Sequence, residues 1–342
     1  MTTGNSNRPA VAGPLGPTPG RAPWSVRRTS SLDMTWVDGF RSQMRIVGRA
    51  RDLLTRSRLD DTVVLAEDVL HVGVAPDRTI EEIRSDPERP ELSRLVGARG
   101  GGRLRGVLAE VVPTELREAT PLYLLLDDLS GATLVAGFAF SQWPDLVEQL
   151  RRPSGPMSRP PARRMEGICT GFQPGSSALN TDGTSRWTHD VQPVPPLRNA
   201  ADPVGWHEVV ETAEVAMRRA RRIDVRLDGV LRVDAMFQDS ATTPAGHRIA
   251  VHEYGLTATM DPGTGELLTV HADPRVLPYQ ECPLAVLNVD RMVGTVAKDL
   301  RISVLEQLKG IAGCTHLNDA VRALAEVPAF AAPLRAGAVT PS

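Results

Sequence analysis

The feature that most constrains the fold is an internal repeat. The segment DVLHVGVAPDRTIEEIRSDP at residues 68–87 aligns with YGLTATMDPGTGELLTVHADP at residues 254–274. Their apolar positions, the proline of the turn and the final Asp-Pro coincide, with a one-residue difference in the turn. Farther along, RLVG at 94–97 matches RMVG at 291–294. Because the match runs through strands, turns and helices over about ninety residues, it favours duplication of one unit over chance similarity.

Each copy predicts strands followed by helices. In the second copy, residues 247–261 alternate in polarity and lie between Asp-Gly and Pro-Gly turns, which is typical of an antiparallel meander. Residues 283–294, 297–310 and 317–327 carry apolar side chains at three- and four-residue spacing and predict helices. The expected fold class is α+β, with two related units packed as a pseudo-dimer. Each unit is expected to be an antiparallel three-stranded meander followed by helices.

Composition suggests the domain boundaries. The N-terminal stretch is rich in Pro, Gly, Ser and Arg, and such a stretch buries too little apolar surface to offset its ordering entropy. We therefore expect a disordered leader at 1–35, a degenerate N-terminal α+β repeat at 40–150, a linker with docked segments at 151–205, a C-terminal α+β repeat carrying the site at 206–330 and a flexible tail at 331–342.

The bulk composition excludes several function classes. Lys plus Arg (39) nearly balances Asp plus Glu (41), so there is no basic field to hold nucleic acid. No apolar run approaches the length of a membrane span, and no nucleotide motif occurs, so we expect no membrane partner and no nucleotide cofactor. Three cysteines in a chain of 342 residues indicate a reducing, cytoplasmic location. The expected partner is a small-molecule substrate, and a homodimer is compatible with the sequence.

Several segments are familiar. RVLPYQECPLA, RMVGT and above all GCTHLNDAVRAL resemble a bacterial family defined as domain of unknown function 2889. GRARDLLT and TPLYLLLDDLSGATLVAGFAF in the first copy resemble its longer members, so the resemblance extends from about residue 40 to residue 328. It implies a grouping and no reaction. The order of a meander, Cys282 entering a helix and Cys314 opening the last helix is similar to iron–sulfur assembly scaffold domains, which implies a fold only.

The strongest candidate residues are Cys314 and His316. A thiol at a helix N-terminus has its thiolate stabilised by exposed N–H groups, and an imidazole two residues away can take its proton or share a metal. The first copy has Ala119 and Pro121 at the matching positions, although the neighbouring packing residues are retained. Packing therefore does not require the thiol and the imidazole, which favours a functional role over a structural one.

The residues around this pair have a structural interpretation as well. Thr315 is a plausible N-cap that accepts from the N–H of Asn318, and Asp319 would lie in the first turn, where the helix dipole favours a carboxylate. Asp319 is also the nearest carboxylate for acid–base work, so the catalytic candidates are Cys314, His316 and Asp319.

Two chemistries fit these residue types. In one, Cys282, Cys314 and His316, with Asp319 or Glu281, bind zinc or another divalent metal, although the C-x-H spacing is short for simultaneous chelation. In the other, Cys314 is a nucleophile or acid–base group paired with His316, and no metal is needed. The spacing does not decide between them, so the cofactor is left open.

Candidate substrate-binding residues lie outside this segment. Arg222 belongs to a basic run, MRRARRIDV at 217–225, whose default interpretation is a solvated strand edge and whose second is an anion clamp. Tyr123 and Asp127 belong to YLLLDD in the first copy. His252 and Glu253 are adjacent on a predicted strand, so they face opposite sides and cannot form one site unaided.

Three functions remain open. The first is a small-molecule enzyme, a lyase, hydrolase or isomerase acting on a carbonyl or acyl compound through a Cys/His centre at the start of the last helix. The second is a metal or iron–sulfur binding or carrier protein without turnover. The third is a partner-binding structural module in which the cysteine and histidine are incidental.

Overall fold

Strands from both ends of the chain join in one antiparallel sheet. The computed structural model describes residues 8–151, 163–186 and 188–338. The strands of this part are β1 (Ser25–Trp36), β2 (Met44–Thr55), β3 (Thr62–Val74), β4 (Ile80–Asp86), β5 (Gln192–Pro193), β6 (Met217–Asp228), β7 (Val230–Thr242), β8 (Arg248–Met260) and β9 (Leu267–Val276). Their order is β4-β3-β2-β1-β6-β7-β8, and both β9 and the short β5 pair with the outer edge of β8.

Helices follow each group of four long strands. The α-helices are α1 (Leu104–Val111), α2 (Pro113–Glu118), α3 (Pro121–Val135), α4 (Phe138–Ser141), α5 (Pro144–Arg151), α6 (Ala297–Gln307), α7 (Thr315–Arg322) and α8 (Ala331–Ala338). Short 3-10 helices span Pro90–Leu95, Thr170–Phe172, Cys282–Met292, Gly310–Ala312 and Ala323–Phe330. The α+β class with antiparallel strands is thus as predicted, but the strands join in one large sheet. Each half contributes four long strands, so the predicted three-stranded meander was one strand short.

The extra strand of the first half is β1, which lies in the stretch that composition assigned to a disordered leader. Its Arg/Ser-rich sequence concealed a central strand, because its charged side chains are buried against carboxylates. Arg27 pairs with Asp224 (2.5 Å) and Arg28 pairs with Asp52 (2.5 Å). Residues 8–24 are described as well and lie against the sheet, whereas the remaining positions 1–7 of the predicted leader are outside the described residues.

The basic run at 217–225 forms β6, in the middle of the sheet. β6 pairs with β1 from Ser25↔Arg226 to Met34↔Met217, and with β7 on its other side. The expectation of a solvated strand edge was therefore wrong: the four arginines of this run suggest an exposed strand in sequence, but their side chains are buried and paired with carboxylates.

The helices cover one face of the sheet and irregular segments cover the other. Two apolar clusters lie under the helices; among their fully buried members are Leu32, Ile46, Leu70, Leu122 and Leu129 in the first half, and Phe237, Tyr254, Leu256, Leu317 and Leu324 in the second. On the opposite face, Trp206 is buried and donates from Nε1 to the Thr18 hydroxyl (2.9 Å). This contact ties the 195–209 region to the N-terminal segment.

The remaining boundaries agree only partly with the described structure. Helix α8 occupies most of the predicted tail, and residues 339–342 lie outside the described part, as do 152–162 and Trp187 of the predicted linker. One described helical stretch, Pro121–Ser141, is long and apolar enough to cross a membrane, but 83% of its apolar window is buried within the protein. That burial is the behaviour of a core helix in a soluble protein.

Candidate functional site

The site begins with an ion pair on the helix-covered face of the sheet. Arg219 on β6 and Asp239 on β7 are direct partners in the strand register. Arg219 donates Nε–H to Asp239 Oδ1 (2.9 Å) and Nη2–H to Oδ2 (3.1 Å), a bidentate geometry that fixes the carboxylate. His252 on β8 lies directly opposite Asp239, and a β-bulge follows between Asp239 and Ser240. The sheet therefore sets an imidazole beside a rigid carboxylate.

Helix α7 brings the second imidazole. The N-cap is Cys314, whose carbonyl accepts from the N–H of Asn318 (2.8 Å), so the helix starts one residue earlier than predicted. Thr315 is then the first helical residue and not the cap. His316 follows in the first turn and points to the sheet.

Asp239, His252 and His316 converge on one point. His252 Nδ1 lies 3.3 Å, and His316 Nε2 lies 3.7 Å, from Asp239 Oδ2, and one ligand atom from each residue lies within 4.8 Å of the others. The two imidazole rings stack with centroids 3.4 Å apart and planes 17° apart. Within the described residues, His252 Nδ1 and His316 Nε2 are buried and have no hydrogen-bond partner of good geometry. Such orphaned nitrogens are uncommon in a folded interior and need an explanation.

Burial decides the charge states of this group. It lowers the pKa of His252, and the nearby Asp239 offsets this only in part. Burial, followed by the neighbouring His252, lowers the pKa of His316 well below its usual range. Burial alone would raise the pKa of Asp239, but the Arg219 guanidinium together with the neighbouring His252 and His316 outweighs burial and holds the pKa below the ordinary value. At neutral pH the group is two neutral imidazoles and one carboxylate.

Cys314 lies behind His316. Its Sγ is 3.8 Å from His316 Nδ1, the ring nitrogen that faces away from Asp239. We expected the helix N-terminus to lower the pKa of this thiol, and that expectation was wrong. Burial raises the pKa of Cys314 by more than the N–H groups of Leu317 and His316 lower it, because the side chain is only 3% exposed.

Residues 217–329, which contain all of this group, match the family described as Protein of unknown function (DUF2889). This region of the chain is similar to that family. The match agrees with the predicted family over residues 217–329, a shorter stretch than the predicted residues 40–328. Neither a curated protein nor a solved structure matches the chain.

The other cysteines of the chain also lie near this site. Burial, followed by the nearby thiols of Cys314, Cys282 and Cys169, raises the pKa of Tyr254 well above its usual range. A Cβ on Gly171 would lie 2.6 Å from Cys282 Sγ and 3.8 Å from Cys169 Sγ, so the loop packs directly on both thiols.

Of the predicted metal ligands, only His316 belongs to the compact three-residue group that the structure forms. Cys314 touches that group from the side, through Nδ1 of His316. Cys282 begins the 3-10 helix Cys282–Met292, with Pro283 in its first turn, and its thiol lies with Tyr254 in the apolar core.

Asp319, Asp127 and Tyr123 form a supporting layer beneath the site. Asp319 accepts from Arg105 (2.5 Å) and from Arg219 (2.9 Å), so it holds guanidinium groups and is not free for acid–base work. It also lies beyond the first turn of α7, contrary to the prediction.

The two first-half residues serve the same layer. Asp127 accepts from Arg322 (2.8 Å) and Arg105 (3.0 Å), and Tyr123 is buried with its ring 4.9 Å from the Arg301 guanidinium carbon. Neither reaches the imidazoles in the described structure.

Arg222 lies on the opposite face of the sheet. It pairs with Asp224 and Asp234 and lines a cavity there, so it does not face the imidazoles. His252 and Glu253 do face opposite sides, as predicted, and the sequence argument set His252 aside for that reason. Its partners Asp239 and His316 come from other elements, which single-strand periodicity cannot show.

Asp239 was missed altogether, although the repeat held a signal for it. Asp52 has the same place in the first half, opposite an arginine of the preceding strand and next to a β-bulge. Asp52 and Asp239 occur at the same place in the two halves, but histidines lie beside Asp239 alone. Comparing the two halves would therefore have singled out Asp239.

Proposed function

We propose that the region similar to DUF2889 binds one divalent transition-metal ion through Asp239, His252 and His316, and that the protein is a metal-dependent enzyme acting on a small carbonyl or acyl compound. The observation that carries the proposal is the convergence of three ligand atoms on one point, two of them buried imidazole nitrogens without a hydrogen-bond partner in the described structure. Two histidines and one carboxylate are a ligand set for catalytic zinc and for non-haem iron.

The distances favour a metal over a simple hydrogen-bonded cluster. An ion with bonds of roughly 2.0–2.1 Å in tetrahedral geometry places its ligand atoms about 3.3–3.4 Å apart. The separations from Asp239 Oδ2 are 3.3 Å to His252 and 3.7 Å to His316. Both are close to that spacing, and both imidazoles are in the neutral form that a metal requires.

The surrounding residues fit the roles of supports for these ligands. Arg219 fixes Asp239 in a bidentate pair, and Cys314 lies against the far nitrogen of His316, where a partner sets the ring orientation. With three protein ligands, one coordination position or more stays open for a substrate. A metal there would act as a Lewis acid on a substrate carbonyl, which suits a lyase, hydrolase or isomerase step.

We also infer that the two halves arose by duplication and pack as a pseudo-dimer, and that only the second half kept the site. Both halves run through four long strands, a 3-10 helix and α-helices in the same order. Both also have the bulge directly after the buried aspartate, between Asp52 and Leu53 and between Asp239 and Ser240.

Thiol chemistry without a metal is the second candidate. The order of thiol, imidazole and carboxylate favours it, since Cys314 Sγ faces His316 Nδ1 and His316 Nε2 faces Asp239. The Cys314–His316 contact is a long hydrogen bond to sulfur, at 3.8 Å, but the 3.7 Å between His316 and Asp239 exceeds a hydrogen bond. The raised pKa of Cys314 also leaves it as an inactive thiol. A metal carrier without turnover uses the same ligands and differs only in the absence of activity.

The experiment is elemental analysis of the purified protein and its variants. We expect close to one zinc or iron per chain, lost in His252→Ala and retained in Cys282→Ala. His247→Ala, in an exposed turn, is the matched histidine control. A full metal content in His252→Ala would sink the ligand assignment.

Activity is then screened with esters, thioesters and 2-oxo acids, comparing the metal-loaded protein with His252→Ala. Turnover that depends on His252 supports the enzyme. A bound metal without turnover of any of these compounds favours the carrier, and rapid alkylation of Cys314 in metal-free active protein favours thiol chemistry.

A further inference from the structure

A cavity lies on the sheet face opposite the proposed metal site. Its volume is about 330 Å³, within the range of small-ligand sites. Strands β6 to β9 form its floor, and two proline-rich segments, residues 15–19 and 195–197, form its roof. The roof is attached to the floor, because the N–H of Leu15 donates to the Glu253 carboxylate.

Glu253 is the unusual residue of this cavity. Its side chain is fully buried, and within the described residues no cation lies at salt-bridge distance from it. In the part of the chain that the structure describes, it accepts from the Leu15 N–H and from Gln238 Nε2 (2.8 Å). Fully buried carboxylates are normally paired with a cation, since an unpaired buried charge is costly.

The other two carboxylates that line the cavity already have partners. Asp234 pairs with Arg222, and Asp273 pairs with Arg275 (2.8 Å). Those two ion pairs are internally balanced. Among the described residues that line the cavity, Glu253 is therefore the carboxyl group without a cationic partner.

Gly255 opens the floor beside Glu253. It is two residues along β8, so both face the cavity. A Cβ on Gly255 would meet no atom nearer than 3.7 Å, so packing would accept a larger residue. A glycine inside a strand often marks close approach of a ligand.

We propose that this cavity binds a small organic cation, a primary amine with an apolar body, whose ammonium group pairs with Glu253. The apolar body would lie along Gly255 between Leu15 and Leu197 of the roof and Met236 of the floor. Burial raises the pKa of Glu253, and a bound ammonium would bring it back down, so binding and ionisation of this carboxyl reinforce each other.

The test is isothermal titration calorimetry of the full chain with butylamine, hexylamine and octylamine, with hexan-1-ol and hexanoate as charge controls. We expect saturable binding of an amine at one site per chain and weak or absent binding of the alcohol and the carboxylate. Glu253→Gln keeps an acceptor for the Leu15 N–H while removing the charge, and is expected to weaken amine binding at least about tenfold.

Two further variants separate the cavity from the rest of the protein. Gly255→Leu fills the cavity and is expected to abolish binding, with the fold checked by circular dichroism. His252→Ala, on the other face, is expected to leave amine binding unchanged while it removes the metal. Equal binding of hexylamine and hexan-1-ol, undiminished binding by Glu253→Gln, or no binding of any amine would each overturn the proposal.

Discussion

Arg28 and Asp52 in the first half of the sheet are related to each other as Arg219 and Asp239 are in the second. Each arginine lies directly opposite its aspartate in the register of adjacent strands. Each pair is bidentate, with Arg28 Nε at 2.6 Å and Nη2 at 2.5 Å from the Asp52 oxygens. The halves differ in what surrounds the pair.

In the second half the strand beyond the aspartate presents His252, and in the first half it presents Ala66. The closing helix brings His316 to the second pair, while in the first half Arg28 Nη1 instead donates to the Ala119 carbonyl (2.8 Å) and to Glu326 (2.7 Å). The ion pair thus belongs to the fold, since both halves have it. The imidazoles are an addition that only one half carries.

The largest effect is expected from breaking the shared ion pair. Arg28→Met leaves Asp52 without its arginine and Glu326 with Arg301 alone. Arg219→Met likewise leaves Asp239 without its arginine and Asp319 with Arg105 alone. Removing one partner of a buried pair costs about 3–5 kcal/mol, so each variant should lose that much free energy of unfolding in urea titrations. A loss below about 1 kcal/mol in either half would show that the pair is not structural there.

The next largest effect is stabilisation by a bound metal, which is expected to depend on the second half only. A metal that binds only the folded protein at a hundred times its dissociation constant stabilises it by about 3 kcal/mol. We expect this gain in urea unfolding with added zinc for the wild type and for His71→Ala on β3, the counterpart of β8 in the first half. His252→Ala should show no gain. An equal gain in His252→Ala would place the metal elsewhere.

Much of this fold is predictable from sequence. The α+β class and the helices after the strands follow from apolar periodicity, which depends on local spacing. Strand β1 was not predictable in the same way, because its arginines are buried only through aspartates on other strands. Arg28, for example, needs Asp52 and Glu326, which are far away in the chain.

The site was predictable in part, for the same reason. Cys314 and His316 stand out because they are close in sequence and absent from the first copy. Asp239 and His252 meet them only through the register of β7 with β8 and the docking of α7. Periodicity gives the face of a strand but not its register, so the carboxylate and the second imidazole could not be placed.

A smaller, pH-dependent effect on stability is expected where the two halves meet, at the pairing of β1 with β6. His207 is buried there, with one ring nitrogen 2.9 Å from the Thr29 hydroxyl and the other 2.9 Å from that of Ser31. The residue opposite Ser31 on β6 is Ala220, which has no hydroxyl. Both side-chain hydrogen bonds to the His207 ring therefore come from β1, in the first half. Burial, followed by nearby arginines, lowers the pKa of His207 to about 3.

Because this pKa is below the unfolded value of about 6.5, the contribution of His207 is complete above pH 6.5 and is lost as pH falls toward 3. The loss between about pH 6 and pH 4.5 should amount to about 2 kcal/mol of unfolding free energy. Urea unfolding at several pH values should show a flatter profile for His207→Gln than for the wild type. Identical slopes would mean that His207 stays neutral in both states or charges without cost.

The smallest effect tests what Cys314 does for the second half. Cys314→Ala copies Ala119 of the first half and removes the thiol beside His316 Nδ1. A small buried truncation of this kind should cost about 1 kcal/mol of stability. If Cys314 orients a metal-bound His316, metal affinity should fall about 10–100-fold without being abolished. If it were a ligand, cobalt-substituted wild-type protein would show sulfur-to-cobalt charge transfer and the variant would not. We expect that band in neither protein, because the thiol touches the ring nitrogen opposite the metal and the ion is held by nitrogen and oxygen alone.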